Sequence, residues 1–469
     1  MIRSGRVVLG TAFLLGNACG LPAQRPVEPR TPVLMISIDG MHPSYVLEAD
    51  RLGLRIPNLR RLLSTGTHAS GVQGVVPTVT YPSHTTLVTG VSPARHGVTA
   101  NTTFDPLGKN AAGWYWYAED VKVPTLWDAA TAARMTTASV HWPVTVGANI
   151  TWNIPQVWRT GEQDDRKLVR ALTTPGVLEP LEKALHEPYA DGNDETIEGD
   201  KRRARFAAQL LRDKHPALTL AYFTALDHVE HASGPYSKAA LETLEQIDVL
   251  AGELFRAAWK EYGGKMAVVV VSDHGFLPVA RQVNLSIALR RAGLLTFVSE
   301  DSAKPVDWKA AVWASGGSAG IVLRDDKDKA ARDKVGALLR TLAADTANGI
   351  ANVIDASELH DRGGFSSAAF MVNLREGFTM GTNVKGPLVS MAVIRGMHGF
   401  LPDDHRLDAS FFIAGPGIAH GRDLGRIDQR DVAPTVARLL GLALPMAEGR
   451  DVLSATSAVA GAPGGSGNR

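Results

Sequence analysis

Six aspartate and histidine side chains of this sequence share a placement that suits divalent metal chemistry. Asp39 closes the run VLMISI, Asp227 follows LTLAYFTAL, Asp273 and His274 follow MAVVVVS, and His398 follows LVSMAVIRGM. His231 stands four residues after Asp227, close enough to share one ion on a turn or first helical turn. Each apolar run reads as a strand, and open parallel sheets gather their ligand sites at the carboxyl ends of strands. A lone Asp after a strand is more often a helix cap than a ligand. Four such positions, all Asp or His, are hard to explain as capping. Carboxylate oxygen and neutral imidazole nitrogen are donors that zinc accepts. The contiguous pair Asp273–His274 grips one ion only where the backbone turns sharply, which Gly275 permits. Two cations about 4 Å apart would clamp the attacking and leaving oxygens of a phosphoryl transfer.

A nucleophile for that transfer is sought in PTVTYPSHTTLVTG. Residues 83–89 read as a helix, and Pro82 suits a first helical position. Thr80 then stands at a helix N-terminus, where free N–H groups and the dipole favour an anion. A threonine alkoxide held there by zinc needs no separate general base. On residue physics alone an ordinary Thr cap is the favoured reading, because Thr78, Ser83 and Thr85 compete equally with Thr80.

The elements that must position these groups alternate along the chain. Residues 33–38, 135–140, 218–223, 266–272 and 388–394 read as buried parallel strands, with helical patterns between them. The clearest helix is 236–262, where Leu241, Leu244, Ile247, Ala251, Leu254 and Phe255 share a face. The expected fold is therefore α/β, a mostly parallel central sheet covered by helices on both faces. Residues 285–387 break the rhythm with GGSAGIVLR, a charged helix candidate at 325–344 and a strand candidate at Phe370–Leu374. They read as an α/β cap inserted into a catalytic domain of residues 31–453.

Bulk properties narrow the partners. The 469 residues carry 49 Lys plus Arg against 48 Asp plus Glu, and 45% are hydrophobic. That near balance argues against a stable nucleic-acid complex, which needs clustered positive charge. Small charged substrates remain open. Arg3 and Arg6, then the apolar stretch 7–15, read as a signal peptide ending near Ala18 or Ala23, so residues 1–23 are assigned to export into a secreted or periplasmic location. The stretch is too short for a transmembrane anchor. Cys19, the single cysteine, follows a poor lipobox in Gly16-Asn17-Ala18, which disfavours a lipoprotein. The tail 454–469 is too poor in apolar side chains to order itself.

Taken together, SIDGM, TVTYPSHTTLVTGVSPARHGVTAN, VPTLWDA, HWPVTVGANIT, AYFTALDHVEHASGP, VVSDHGF and MHGF resemble the nucleotide pyrophosphatase/phosphodiesterase family of the alkaline phosphatase superfamily. The resemblance covers roughly residues 33–453. It implies an alkaline phosphatase-like fold and two Zn2+ per chain. It makes Thr80 the zinc-activated nucleophile, with Asp39, Asp273 and His274 on the zinc that contacts it. Asp227, His231 and His398 would hold the second zinc, which activates the water that hydrolyses a phospho-threonine. Asn101 matches an asparagine that hydrogen-bonds a non-bridging phosphate oxygen, and Tyr81 and Tyr222 match aromatics that sandwich a nucleobase. The chain departs from the family at Leu226, where Pro is usual, and at Glu230, where Gly is usual, so DHVEH leaves open which groups face the metal.

The implied substrate is a small nucleotide or other phosphodiester. An alkaline phosphatase-type monoesterase adds cations for the extra phosphate charge, and ASVHWPVTVGANITW offers none, Arg159 being the nearest. A sulfatase needs a Cys or Ser nucleophile beside an Arg, which TYPSH lacks. A phosphocholine phosphodiesterase on the same bimetal core stays open, because choline cages are also aromatic.

Overall fold

The computed structural model describes residues 30–454, apart from 111–112, 159–162 and 193. The signal segment with Cys19, Arg159 and the tail beyond Ser454 lie outside the described residues.

The strand Val33–Ile38 lies inside an eight-stranded sheet, hydrogen-bonded in parallel to Leu218–Phe223 on one side and Ala267–Val271 on the other. Beyond Leu218–Phe223 come Thr137–Val140 and then Trp152–Ile154, also parallel. Beyond Ala267–Val271 comes Phe411–Ala414, antiparallel, followed by the short strands Thr67–His68 and Arg422–Asp423. The sheet is buried on both faces, which is why its strands read as continuous apolar runs. Leu34, Ile36 and Ile38 point into one core, and Val33 and Met35 into the other. Lys238–Glu261 covers the first face, capped by Ser237 accepting from the Ala240 amide and burying Leu244, Ile247, Ala251, Leu254 and Phe255.

Residues 388–394 depart from the sequence reading. Only Val389–Met391 is extended, and it pairs antiparallel with Leu277–Val283 in a separate sheet. An apolar run alone does not distinguish a core strand from an edge strand, and here Met391 and Val393 are exposed. Conversely, FFIA at Phe411–Ala414 is a fully buried strand of the large sheet that was too short to stand out.

In the region 285–387 the chain builds a second sheet, wholly antiparallel, in the order Ala310–Ser315, Ser318–Leu323, Phe370–Leu374, Ile350–Asp355. The helix Lys329–Ala344 starts later than expected, because Asp328 caps it through the Ala331 amide. This sheet and helix share a core of their own around Ile321, Val335, Leu339 and Val372. The hairpin turn of the sheet reaches the large domain, where the Gly317 amide donates to the His398 carbonyl at 2.7 Å.

Candidate active site

Three of the four ligand-bearing segments begin where strands of the large sheet end. The Asp39 amide donates to the Phe223 carbonyl at 3.0 Å, so Asp39 is held at the carboxyl edge of its strand. Asp227 lies in the first turn of helix Ala225–Ser233, directly after Leu218–Phe223, with His231 one turn on. Asp273 and His274 follow Ala267–Val271. His398 arrives differently, after the two-residue strand Gly396–Met397 that pairs with Leu277–Val283.

Two glycines let these segments converge. Gly40 has φ of +74°, its amide donates to Asp273 Oδ1 at 3.1 Å, and a Cβ there would meet the Phe276 ring at 2.7 Å. Gly275 is required for a different reason from the one read in the sequence. Its φ is not left-handed; a Cβ would lie 2.3 Å from the Arg406 carbonyl oxygen, so close backbone approach excludes any side chain.

The six side chains converge on one cluster, in which Asp39, Asp273, His274 and His398 are buried and Asp227 and His231 half-buried. His274 Nε2 is 3.2 Å from Asp273 Oδ2 and 3.5 Å from Asp39 Oδ1. Asp227 Oδ1 lies 3.5 Å from His231 Nε2 and 3.6 Å from His398 Nε2. The rings of His274 and His398 stack at 3.7 Å. Asp39, Asp273 and His274 form one group able to hold an ion, and Asp227, His274 and His398 form another. His274 thus stands between the two.

Electrostatics tests whether cations fit. Asp39 Oδ1, Asp227 Oδ1, Asp273 Oδ2 and both nitrogens of His274 are buried without a hydrogen-bond partner. Buried polar atoms are ordinarily satisfied, so such a concentration asks for a ligand. Burial and the neighbouring Asp273 hold the Asp39 carboxyl well above its usual range, and burial pushes Asp273 up to about 7. Burial likewise drives His274 and His398 well below the ordinary imidazole value, with neighbouring imidazoles adding to it. Carboxylates facing neutral imidazoles around orphaned atoms match the donor set of divalent zinc. Outer contacts aim two imidazoles: His398 Nδ1 pairs with the Thr78 carbonyl at 3.0 Å, and His231 Nδ1 with the Gly396 carbonyl at 3.0 Å. Each contact leaves Nε2 for an ion.

Thr80 is the first residue of the buried helix Thr80–Thr89. His84 joins it to the cluster, with Nδ1 2.8 Å from the Thr80 carbonyl and 3.6 Å from Asp273 Oδ2. The rival hydroxyls are differently disposed. Thr78 Oγ1 donates to the Phe400 carbonyl and Thr85 Oγ1 to the Tyr81 carbonyl, while Ser83 is 0% exposed against 7% for Thr80. The first turn offers fewer free amides than expected. The Tyr81 amide donates to Asn101 Oδ1 at 2.8 Å, Pro82 has none, and the Ser83 amide returns to Val79. The bond to Tyr81 fixes the Asn101 amide group and leaves its NH2 to donate elsewhere. A cleft of about 210 Å³ opens here between Asn101, His231, His398 and the hairpin residues Ala314, Ser315 and Gly316.

The two tyrosines are almost fully enclosed. Tyr222 is 1% exposed, its hydroxyl donates to Asp39 Oδ2, and its ring packs against His84 at 4.5 Å and His141 at 6.0 Å. It has no free face, so the base-stacking role read for it is corrected: it is a buried partner of Asp39. Tyr81 is also 1% exposed, with its hydroxyl donating to Gln156 Oε1. It is the floor of an aromatic cluster that the sequence reading missed. Trp114 lies 5.3 Å from Tyr81, and Trp158 packs edge-on to Trp114 and Trp116 at 5.2 and 4.9 Å. Trp114 and Trp158 are half-buried. The repeated aromatics of GWYWY were the available signal.

The ambiguity of DHVEH also resolves. Glu230 belongs to neither ion-binding group; it is buried, accepts from the Tyr45 hydroxyl, and burial holds it well above its usual range. His228 points outward to Glu195 at 3.4 Å.

Known proteins are similar to this chain in sequence and in fold. The family model for type I phosphodiesterase / nucleotide pyrophosphatase matches residues 33–401. An uncharacterised pyrophosphatase/phosphodiesterase of Schizosaccharomyces pombe is 28% identical over 253 residues, covering 53% of this chain and 45% of its own length. Ectonucleotide pyrophosphatase/phosphodiesterase family member 3 of Mus musculus is 25% identical over 52% of this chain, which spans only 25% of that protein. In structure, murine ectonucleotide pyrophosphatase/phosphodiesterase 5, an inactive threonine-to-alanine variant in complex with AMP, superposes with a TM-score of 0.62 over 90% of this chain and 99% of that one. At 19% identity that likeness speaks for the fold, an alkaline phosphatase-like α/β architecture. With its profile matched across most of the chain, this protein belongs to the type I phosphodiesterase / nucleotide pyrophosphatase family.

Proposed function

We propose that the chain is a two-zinc phosphodiesterase that hydrolyses nucleotide phosphodiester or pyrophosphate bonds through Thr80. The observation that carries this reading is the set of orphaned, buried ligand atoms on Asp39, Asp227, Asp273 and His274 beside that threonine. Asp39, Asp273 and His274 would hold one zinc, which Thr80 would also contact, and Asp227, His231 and His398 the other. Bound zinc would lower the pKa of a hydroxyl or water and neutralise charge on the phosphoryl oxygens. Thr80 Oγ attacks phosphorus, the bond to the leaving oxygen breaks, and that oxygen takes up a proton. Water then cleaves the phospho-threonine and restores the hydroxyl. Asn101, oriented by the Tyr81 amide, donates to a non-bridging oxygen as its charge grows.

A nucleotide substrate is supported by the AMP held by the murine relative and by the aromatic surface beside Thr80. With Tyr222 enclosed, that surface belongs to Trp114 and Trp158, with Tyr81 beneath them. Residues 1–23 are proposed to direct the protein to a secreted or periplasmic location. Among the described residues no helix is long and apolar enough to cross a membrane. Hydrolysis of a nucleoside-monophosphate aryl ester, an aryl phosphate monoester and an aryl phosphocholine ester, assayed side by side, tests the substrate class. The first is expected to be turned over fastest; faster monoester turnover would point to a phosphatase.

A further inference from the structure

One wall of the cleft beside the metal cluster comes from outside the large domain. It is the hairpin turn of the second sheet, where Ser315 pairs directly with Ser318 across Gly316 and Gly317. The turn is pressed against the chain that carries His398. A Cβ on Gly316 would lie 2.3 Å from the His398 carbonyl oxygen, and one on Gly399 would lie 2.0 Å from the Ser315 carbonyl oxygen. Ser315 therefore holds a fixed place beside a proposed zinc ligand. Strand residues two apart share a face. Trp313, two residues before Ser315, donates from its indole to the Thr102 carbonyl at 2.9 Å, so Ser315 is turned toward the large domain as well. There it lines the cleft with Asn101 and Thr102. Ser315 is 6% exposed, and its Oγ has no hydrogen-bond partner among the described residues. Buried hydroxyls are ordinarily satisfied, and the open side of this one is the cleft.

Size and chemistry narrow what enters. The cleft, at about 210 Å³, is smaller than the roughly 300–1,000 Å³ of a pocket that takes a whole ligand, so it receives one substituent of the substrate. Attacking and leaving oxygens stand in line across phosphorus. In the proposed reaction Thr80 attacks from the side of Asp39, Asp273 and His274, so the leaving oxygen departs toward Asp227, His231 and His398. His231 and His398 line this cleft. Its apolar walls are Val79, Ala314 and Met397, and no Lys or Arg of the described residues lines it. An anionic leaving group would face no side-chain cation there, whereas a hydroxyl can exchange hydrogen bonds with Ser315. We propose that Ser315 is a specificity residue for the leaving group, and that the group it selects is an uncharged alcohol carrying a further hydroxyl. The inference rests on the phosphodiesterase reading and narrows it, favouring diesters of such alcohols over pyrophosphates.

The test uses the zinc-loaded full chain and esters of thymidine monophosphate with glycerol, propanol and glyceric acid. Propanol lacks the further hydroxyls of glycerol, and glyceric acid carries a carboxylate in place of a hydroxymethyl group. In the unmodified protein kcat/KM is expected to fall in the order glycerol, propanol, glyceric acid. Ser315→Ala is expected to lower kcat/KM for the glycerol ester about three- to tenfold, the effect of one neutral hydrogen bond, and to change the propanol ester by less than about twofold. Calorimetric binding of the glycerol ester to Thr80→Ala protein should weaken by a similar factor when Ser315→Ala is added. The variant should fold, because it deletes a buried hydroxyl that bonds nothing, and its Tm should match or exceed that of the parent. Ser318→Ala removes the neighbouring hydroxyl, which is not part of the cleft lining, and should leave all these esters unchanged. Equal losses on the glycerol and propanol esters, a matching loss in Ser318→Ala, or a glyceric acid ester turned over as fast as the glycerol ester overturns the proposal. So does turnover of the para-nitrophenyl ester of thymidine monophosphate with none of the alkyl esters. Absence of turnover on the para-nitrophenyl ester itself would instead overturn the proposed function, and this inference with it.

Discussion

The metal cluster and the aromatic surface beside it are built on opposite principles. The cluster draws nearly all its groups from residues that end strands or begin helices, and Asp39, Asp273, His274 and His398 are buried. Backbone contacts aim the imidazoles of His231 and His398, and Gly40 and Gly275 can carry no side chain where they stand. The aromatic surface rests on loops, where Trp114 and Trp158 are half-buried. A site fixed by strand ends serves chemistry that tolerates little displacement. A surface carried by loops is where substrate choice can change without disturbing that chemistry.

The largest effect should come from the nucleophile. Thr80→Ala is expected to lower kcat roughly a thousandfold or more while zinc content and thermal stability stay close to the parent. Trapped phosphate on Thr78 or Ser83 in place of Thr80 would move the assignment. Next comes Tyr222→Phe, which removes the hydroxyl that donates to Asp39. A lost outer contact of this kind typically weakens metal binding by about 10- to 100-fold. Activity should fall equally on nucleotide and base-free substrates and return with added zinc. A loss confined to nucleotides would restore Tyr222 to the substrate side of the comparison.

Trp158→Ala should behave in the opposite way. Losing one stacking face costs about 1–3 kcal/mol, or roughly 5- to 150-fold in kcat/KM for a nucleotide substrate. A methyl aryl phosphodiester, which has no base, should be nearly indifferent, and zinc content should not change. Equal losses on both substrates would assign the tryptophan to the fold.

These contrasts follow what was and was not legible in the sequence. Asp39, Asp227 and Asp273 stood out because parallel strands buried on both faces read as unbroken apolar runs, and their ends are then visible. His398 was found for a partly mistaken reason. Its segment looked like another core strand, whereas the structure hangs it from an antiparallel pairing with Leu277–Val283. Tyr222 misled because a tyrosine within a strand can point to either side of the sheet, and its neighbours His84 and His141 are distant in sequence. Trp114 and Trp158 escaped because loops have no period that would announce their convergence.

The smallest expected effect is on the pH dependence of the metal-free protein. Burial raises Asp39, Asp227 and Glu230, and brings Asp273 to about 7. For an acid whose folded pKa lies above its unfolded value, the folded state binds more protons, so stability is lost as pH rises through the folded pKa. The depressed histidines act oppositely, but only below about pH 6.5, where unfolded imidazole becomes charged. From about pH 7 to 9 the carboxylates remain, joined by His228, which its hydrogen bond to Glu195 holds above the ordinary imidazole value. His228 acts in the same direction, and the Tm of chelated protein should fall by a few degrees. Zinc-loaded protein should keep only the His228 part of that fall. A metal-free Tm that rises over this interval would mean that the cluster is not strained by its own charge.

The central claim is that the orphaned atoms around His274 await two cations. Elemental analysis of purified, unchelated protein tests it most directly. Two zinc ions per chain are expected, falling to one in Asp227→Asn, where Asp39, Asp273 and His274 still hold the other. Protein that carries no zinc, and binds none when it is offered, would contradict the account.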